Sequence, residues 1–391
     1  MSVLRLAFVT IDDSSSLKSW SGVPFHMARA LVQQGVTLEH VDLLHTPVVP
    51  RALARGRQLL HRSRRRWYSF QHDPGVVRAH ARYLALRLRD LHVDAVFSPG
   101  TIPIAHLDTP LPVVYWTDAT FAAMVDYYPA WSGISEARVR AGNRMERAAI
   151  DRAGVAVYAS DWAAESALRV YAADPARVHV LPFGANLTSE PDRRQIVSLI
   201  AQRPRRECRL LFLGVDWHRK GGDLALGVVE RLVEMGIPSH LTVVGCRAGD
   251  VPKSKLVDYI GFIDKSTPSG EARLLRLLAD SHFLCLPSRA ECFGVVFCEA
   301  SAYGLPSLAI RTGGVASAVR HASNGYLFDE PSFIESAAAS IADCMADYDD
   351  VYTPLALSSY EEYRSRLNWT TSTSMLIEHV SRLVARTAHA E

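Results

Sequence analysis

Short apolar runs rich in valine, leucine and isoleucine alternate along the chain with longer segments whose apolar residues recur at helical spacing. That alternation predicts parallel sheets covered by helices, because parallel strands need a helical crossover and are buried on both faces. In the first half, strands are expected at Leu4 to Thr10, Leu38 to Leu43, Asp94 to Ser98, Pro112 to Trp116, Val155 to Ala159 and His179 to Pro182. In the second they are expected at Leu210 to Gly214, Leu241 to Gly245, Val257 to Phe262, His282 to Leu286, Pro306 to Ile310 and Gly325 to Phe328. Two doubly wound sheets follow. The polar stretch Leu187 to Arg206, with Pro191, Pro204 and clustered arginines, separates the two series. The organisation therefore reads as a first domain over 1–190, a linker over 191–206 and a second domain over 207–368. Thr371 to Ala388 reads as a closing helix, apolar at Met375, Leu376, Val380 and Leu383, that crosses back to the first domain.

Length agrees with two domains, since 391 residues exceed what one core ordinarily holds, and a cleft between the domains is expected. A composition of 48% hydrophobic and 21% charged residues excludes disorder. The net charge of +2 excludes a general polyanion binder and leaves any basic function to a local patch; no nucleic-acid partner is expected. All six cysteines lie in the second half without metal-ligand spacing and read as reduced, buried thiols of a cytoplasmic protein. The run from Met1 to Thr10 lacks the length and cleavage site of a signal peptide, and no run approaches the ~18 residues of a spanning helix. Membrane contact, if made, is peripheral, at the inner surface.

In open α/β sheets, ligands bind beyond the carboxyl ends of strands, where helix starts present backbone N–H groups. The segment Pro287 to Pro306 follows an expected strand and opens a helix; Gly294 permits close approach, and the N–H groups of Phe293, Gly294 and Val295 are placed for a diphosphate. Glu291 and Glu299, eight residues apart, would be separated by about 12 Å along a helix, too far for a glycosidase pair working on one bond. One holds a sugar and the other a ribose. Arg219 and Lys220, after another strand end, would neutralise a leaving diphosphate, or form a solvated basic turn. Gly313 and Gly314 in Arg311 to Val315 form an anion nest or an ordinary turn. In the first half, Gly22 after the first strand is placed to approach the donor from the opposite wall, with Pro24 in the first turn of the next helix. Asp118 handles a sugar hydroxyl or the acceptor proton, or caps a helix, and Asp161 has the same capping alternative.

At these residues the chain resembles the retaining glycosyltransferases of family 4. The matching elements are Glu291-x7-Glu299, Arg219-Lys220-Gly221, Thr312-Gly-Gly314, Asn324 to Leu327, Ser160-Asp-Trp162 and Leu181 to Asn186. The resemblance implies the GT-B fold, two doubly wound Rossmann-like domains facing across a cleft. It implies that Glu299 binds the donor ribose, that Glu291 and the backbone from Phe293 to Val295 hold the transferred sugar, and that Lys220 contacts the diphosphate. Val215 stands where many members carry arginine, and its charge is assigned to Arg219. The implied reaction moves a hexosyl group from a UDP-sugar or GDP-mannose type donor to a carbohydrate or lipid-linked acceptor. It needs no cofactor, no metal and no protein nucleophile, and Cys292 reads as apolar lining. Asp347-Tyr-Asp349 reads as a solvated helix or loop rather than a metal motif. The alternatives are a nucleotide-sugar epimerase of the same fold, or a non-catalytic nucleotide-sugar-binding protein. Arg51 to Phe70 interleaves seven arginines with Leu53, Leu59, Leu60, Trp67 and Tyr68. It reads as a docking segment for an anionic membrane or a phosphorylated acceptor, or as a solvated helix.

Overall fold

The structure, a computed structural model, describes residues 3–11, 13–43, 52, 55, 56, 58 and 69–389. The chain divides into two compact units, Met1–Pro182 with Ser372–Glu391, and Phe183–Thr371. The first contains strands β1 (Arg5–Thr10), β2 (Thr37–Asp42), β3 (Ala95–Ser98), β4 (Val113–Thr117), β5 (Val155–Tyr158) and β6 (Val178–Val180). Their order is β2-β1-β3-β4-β5-β6, and every pairing is parallel. The second contains β7 (Cys208–Leu213), β8 (Ser239–Val244), β9 (Val257–Gly261), β10 (Phe283–Cys285), β11 (Ser307–Ile310) and β12 (Gly325–Phe328). Their order is β12-β11-β10-β7-β8-β9, again wholly parallel. All twelve expected strands are present, each end within two residues of its expected place.

Central strands are buried on both faces, which is why they read as unbroken apolar runs: Leu6 to Val9 and Val113 to Trp116 are fully buried. Each sheet reverses its strand order once, between β1 and β3 in the first unit and between β7 and β10 in the second. At such a point the connections leave in opposite directions and open a crevice at the strands' carboxyl ends.

The closing helix runs Trp369–Ala388, and from Ser372 onward it groups with the first unit. Leu376 and Val380 are buried, and Leu383 fills the space over Gly154 that a Cβ would occupy. Met375 was expected on the apolar face, but it is 46% exposed because it lies one position off the buried stripe. The expected linker is also corrected. Residues 193–202 form a helix, Arg193–Gln202, opened by a capping box between Asp192 and Gln195, with Ile196 and Ile200 buried in the second unit. Its arginines misled the sequence reading. Arg203, 3% exposed, donates to the carbonyls of Ala279 (3.1 Å), Gly304 (2.8 Å) and Tyr303 (2.9 Å) and to the Tyr352 hydroxyl (2.7 Å).

Asp347 to Asp349 enter a π-helical turn, Tyr348–Tyr352, in which Asp349 forms a two-point exposed pair with Arg205. All six cysteines are free and buried. Among the described residues no helix is long and apolar enough to cross a membrane, and no cluster of three or more His, Cys, Asp or Glu has metal-binding geometry.

Arg203→Ala should leave buried acceptors without donors, each costing about 1–3 kcal/mol. With a net loss of about 3 kcal/mol, the melting temperature should fall by roughly 6–12 °C in calorimetry.

Candidate functional site

In the second unit, the loops after β7, β10 and β11 meet at the reversal of strand order. Gly221 (φ +73°) ends the first loop and starts the helix Gly222–Glu234; a Cβ there would lie 2.1 Å from the Pro287 carbonyl oxygen. Only glycine lets the two loops touch. They are joined by a backbone hydrogen bond from Arg289 N to Arg219 O (2.8 Å). Lys220 Nζ pairs with Glu291 Oε2, and both side chains are nearly buried. The Arg219 guanidinium donates to the Ala290 carbonyl (2.9 Å) and lies 4.0 Å from the same carboxylate oxygen.

The helix Val295–Ala302 begins at Gly294, which holds φ +87° and supplies no side-chain cap. A Cβ on Gly294 would meet the Phe297 ring at 2.6 Å, so the positive-φ turn there requires glycine. Phe293 is buried, packing edge-on against Phe183, while Gly294 and Val295 are half-buried. Glu299, 6% exposed on this helix, accepts from Lys265 Nζ at 3.1 Å.

Of the two glycines read as an anion nest or an ordinary turn, Gly314 has its N–H engaged within the protein. The Gly314 N–H donates to the Glu291 carbonyl (3.2 Å), and Thr312 Oγ1 donates to the Arg289 carbonyl (3.2 Å). This loop therefore braces the Glu291 loop. Asn324 is fully buried, donating to Ser301 Oγ and the Ala318 carbonyl and accepting from Arg320 N, which fixes β12 against the Glu299 helix.

The partners of three residues were missed by sequence reasoning. Arg289 makes a two-point pair with Asp223 (2.9 and 2.8 Å) and reaches Glu330 (2.6 Å), and these carboxylates raise its pKa. Lys265 lies in the loop after β9, and only its distance from Glu299 in sequence concealed it. Glu146, on the helix Glu136–Arg152, is 2% exposed. Its signal was an acidic residue on the apolar face of an amphipathic pattern.

Gly22 and Asp118 belong to the first unit. Gly22 (φ +84°) precedes the helix Val23–Gln33, with Pro24 in its first turn, after Trp20 and Ser21 that also hold left-handed backbone. Asp118 is not a helix cap: Thr120 caps the next helix through Ala123 N (3.2 Å), and Ser160, not Asp161, caps the helix after β5. Asp118 instead lines a cavity of about 380 Å³ at the carboxyl ends of β1, β3 and β4. A larger depression of about 630 Å³, bordered by Arg177, Arg382 and the stacked His179 and His379, lies at the opposite, amino ends of β4 to β6. In Arg51 to Phe70, Arg51, Arg57, Arg62, Arg64, Arg65, Arg66, Trp67 and Tyr68 lie outside the described residues.

Two open, wholly parallel six-stranded sheets, each reversing its strand order once, define a doubly wound α/β protein. Residues 200–360 match the family model of glycosyl transferases group 1, and residues 23–189 match that of glycosyltransferase family 4. The chain belongs to glycosyltransferase family 4, and its fold is GT-B. It is 26% identical over 249 residues, 61% of its length, to a D-inositol 3-phosphate glycosyltransferase of Mycobacterium marinum. The match covers 52% of that relative, so the chain spans about half the length of the relatives it matches. Among solved structures it resembles a sucrose-phosphate synthase from Thermosynechococcus elongatus, with TM-score 0.68 and 15% identity over 98% of this chain and 100% of the other. It also resembles the Anabaena protein HepE in complex with UDP and glucose, with TM-score 0.61 and 16% identity over 97% of this chain and 99% of the other.

Burial raises the Glu146 pKa to about 7 from its ordinary 4.5, opposed by hydrogen bonds from Thr101 and the Phe121 backbone. Because the folded state keeps this proton to higher pH, its stabilising effect is full below 4.5 and is lost as pH rises to about 7. Glu146→Gln should remove that dependence, so wild type should lose roughly 3 kcal/mol relative to the variant between pH 4 and 8. Urea unfolding of both across that range measures it.

Proposed function

We propose that the protein transfers a hexosyl group, with retention of configuration, from a nucleotide diphosphate sugar bound by the second unit to an acceptor hydroxyl. The observation that carries this reading is the convergence of Lys220, Glu291 and the uncapped start at Gly294 on one strand-order reversal. Lys220 neutralises Glu291 and Lys265 neutralises Glu299. A bound donor offers each group a new partner. The diphosphate takes Lys220 and Arg219, sugar hydroxyls take Glu291 and the backbone from Phe293 to Val295, and the ribose takes Glu299.

In the reaction, the bond from the anomeric carbon to the diphosphate oxygen breaks as the acceptor oxygen forms the new bond. The acceptor proton passes to the departing diphosphate. Cations fixed beside the leaving group stabilise its developing charge, so neither a metal nor a cofactor is needed. Asp118 is assigned to the acceptor and Gly22 to the donor. UDP and glucose bound to HepE support a UDP-sugar donor, and the inositol phosphate relatives support a small polyol acceptor. Peripheral contact of a cytoplasmic protein with an anionic membrane through Arg51 to Trp67 completes the proposal.

UDP, GDP and ADP with their sugar conjugates should be compared for thermal stabilisation of wild type and Glu299→Ala without added metal. At 100 times its Kd, the cognate donor should add about 2.7 kcal/mol, and the variant should lose that gain. Silence from all three nucleotides sinks the donor reading, whereas stabilisation without product in an acceptor screen selects a binding protein. Separately, alanine at Arg64, Arg65 and Arg66 should reduce sedimentation with phosphatidylserine vesicles; unchanged sedimentation removes the membrane contact.

A further inference from the structure

Arg289, in the loop after β10, reaches further than an ordinary half-exposed arginine. Its backbone N–H donates to the Arg219 carbonyl at 2.8 Å, and Nη1 donates to the His218 carbonyl at 2.7 Å. Both acceptors stand directly before Lys220 in the loop after β7. In the opposite direction, the Arg219 guanidinium donates to the Ala290 carbonyl at 2.9 Å. Two neighbouring residues of each loop are therefore clasped together.

The same residue ties in three further places. Nη1 and Nη2 donate to Asp223 Oδ1 and Oδ2, at 2.9 and 2.8 Å, at the start of the helix Gly222–Glu234. Nε donates to Glu330 Oε1 at 2.6 Å, just beyond β12, and the Arg289 carbonyl accepts from Thr312 Oγ1 at 3.2 Å in the loop after β11. Two bonds from Nη1, one from Nη2 and one from Nε occupy four of the five guanidinium N–H donors. A guanidinium so committed is built to hold other groups still rather than to receive a phosphate itself.

What it holds is the pair of cations. The turn that carries them is shaped from within by Asp216, whose Oδ1 accepts from Arg219 N and whose carbonyl accepts from Lys220 N, both at 3.0 Å. Those bonds do not set where the turn stands against the loop after β10; the Arg289 clasp does. Placement matters because a cation fixed beside a leaving group stabilises its charge without having to reorganise.

We propose that Arg289 is a positioning residue for the diphosphate end of the donor. Through the His218–Arg219 backbone and through Asp223, it holds Arg219 and Lys220 in place for the phosphates without touching them. The assignment rests on the donor reading given above.

Calorimetric titration of the full chain with UDP, GDP and ADP, each beside its own nucleoside, tests it. Arg289→Ala should weaken the diphosphate that binds wild type about tenfold and leave the matching nucleoside within about twofold, because base and ribose do not depend on the clasp. Asp223→Ala separates positioning from direct contact. Loss of the anchor should weaken the diphosphate about fivefold, and the double variant should bind no more weakly than Arg289→Ala, since the two residues act as one unit. A direct phosphate contact gives the opposite sign, because removing the carboxylate would free the guanidinium. Arg289→Lys should restore less than about a third of the loss, since a point charge cannot bridge the Asp223 carboxylate and the His218 carbonyl. If Arg289→Ala does not fold, the Asp223→Ala and Arg289→Lys variants still decide. Equal diphosphate binding by wild type and Arg289→Ala, tighter binding by Asp223→Ala, or full rescue by Arg289→Lys overturns the proposal and leaves the donor reading in place. Failure of all three nucleotides to bind wild type overturns the donor reading, and this assignment with it.

Discussion

The Lys220–Glu291 pair holds the second unit's chemistry together. It ties the loop after β7 to the loop after β10, where the sheet reverses its strand order. With side chains only 12% and 11% exposed, both charges give up most of their water. Such pairs add little net stability compared with well-packed apolar residues, yet losing one partner alone typically costs about 3–5 kcal/mol. Stability alone therefore gives little reason to keep this pair, whereas a charged ligand gives a clear one. The surrounding bonds, from Arg289 to Asp223 and from Gly314 to Glu291, serve to hold that carboxylate in place.

Helix starts follow the same logic. The chain caps helices with Asp73, Thr120, Ser160, Asp192 and Thr267, each accepting a backbone N–H. At Gly22, Gly221, Gly294 and Gly314 it uses no side-chain cap. These four starts lie at strand-end loops, and at Gly294 the positive end of a helix carries no side-chain cap, whereas at Gly221 the Gly222 N–H is taken by the Trp217 carbonyl (2.8 Å). The Gly314 loop shows the limit of this rule, because its N–H is spent inside the protein.

The first unit differs in chemistry. Its cavity is lined by aromatic and acidic residues, whereas the second unit's strand-end loops carry Arg219 and Lys220. Glu146 also links site and stability, since the burial that raises its pKa costs the fold at high pH.

The sequence by itself determined the strand inventory and the loops that carry Lys220, Glu291, Gly294 and Glu299. Each depends on local pattern: apolar runs make buried parallel strands, and motif residues at fixed spacing follow their ends. It misplaced the linker because clustered arginines look solvent-exposed, whereas Arg203 is buried among four acceptors brought together by distant segments. It left Asp118 open between a contact to a sugar hydroxyl or acceptor proton and a helix cap, because an aspartate after a strand end suits either place. Only the tertiary structure decided that Lys265 meets Glu299, that Gly314 braces Glu291 and that Glu146 is buried at a cavity. The reason is physical: burial and hydrogen-bond partnership are properties of groups remote in the chain, and sequence spacing carries no measure of them.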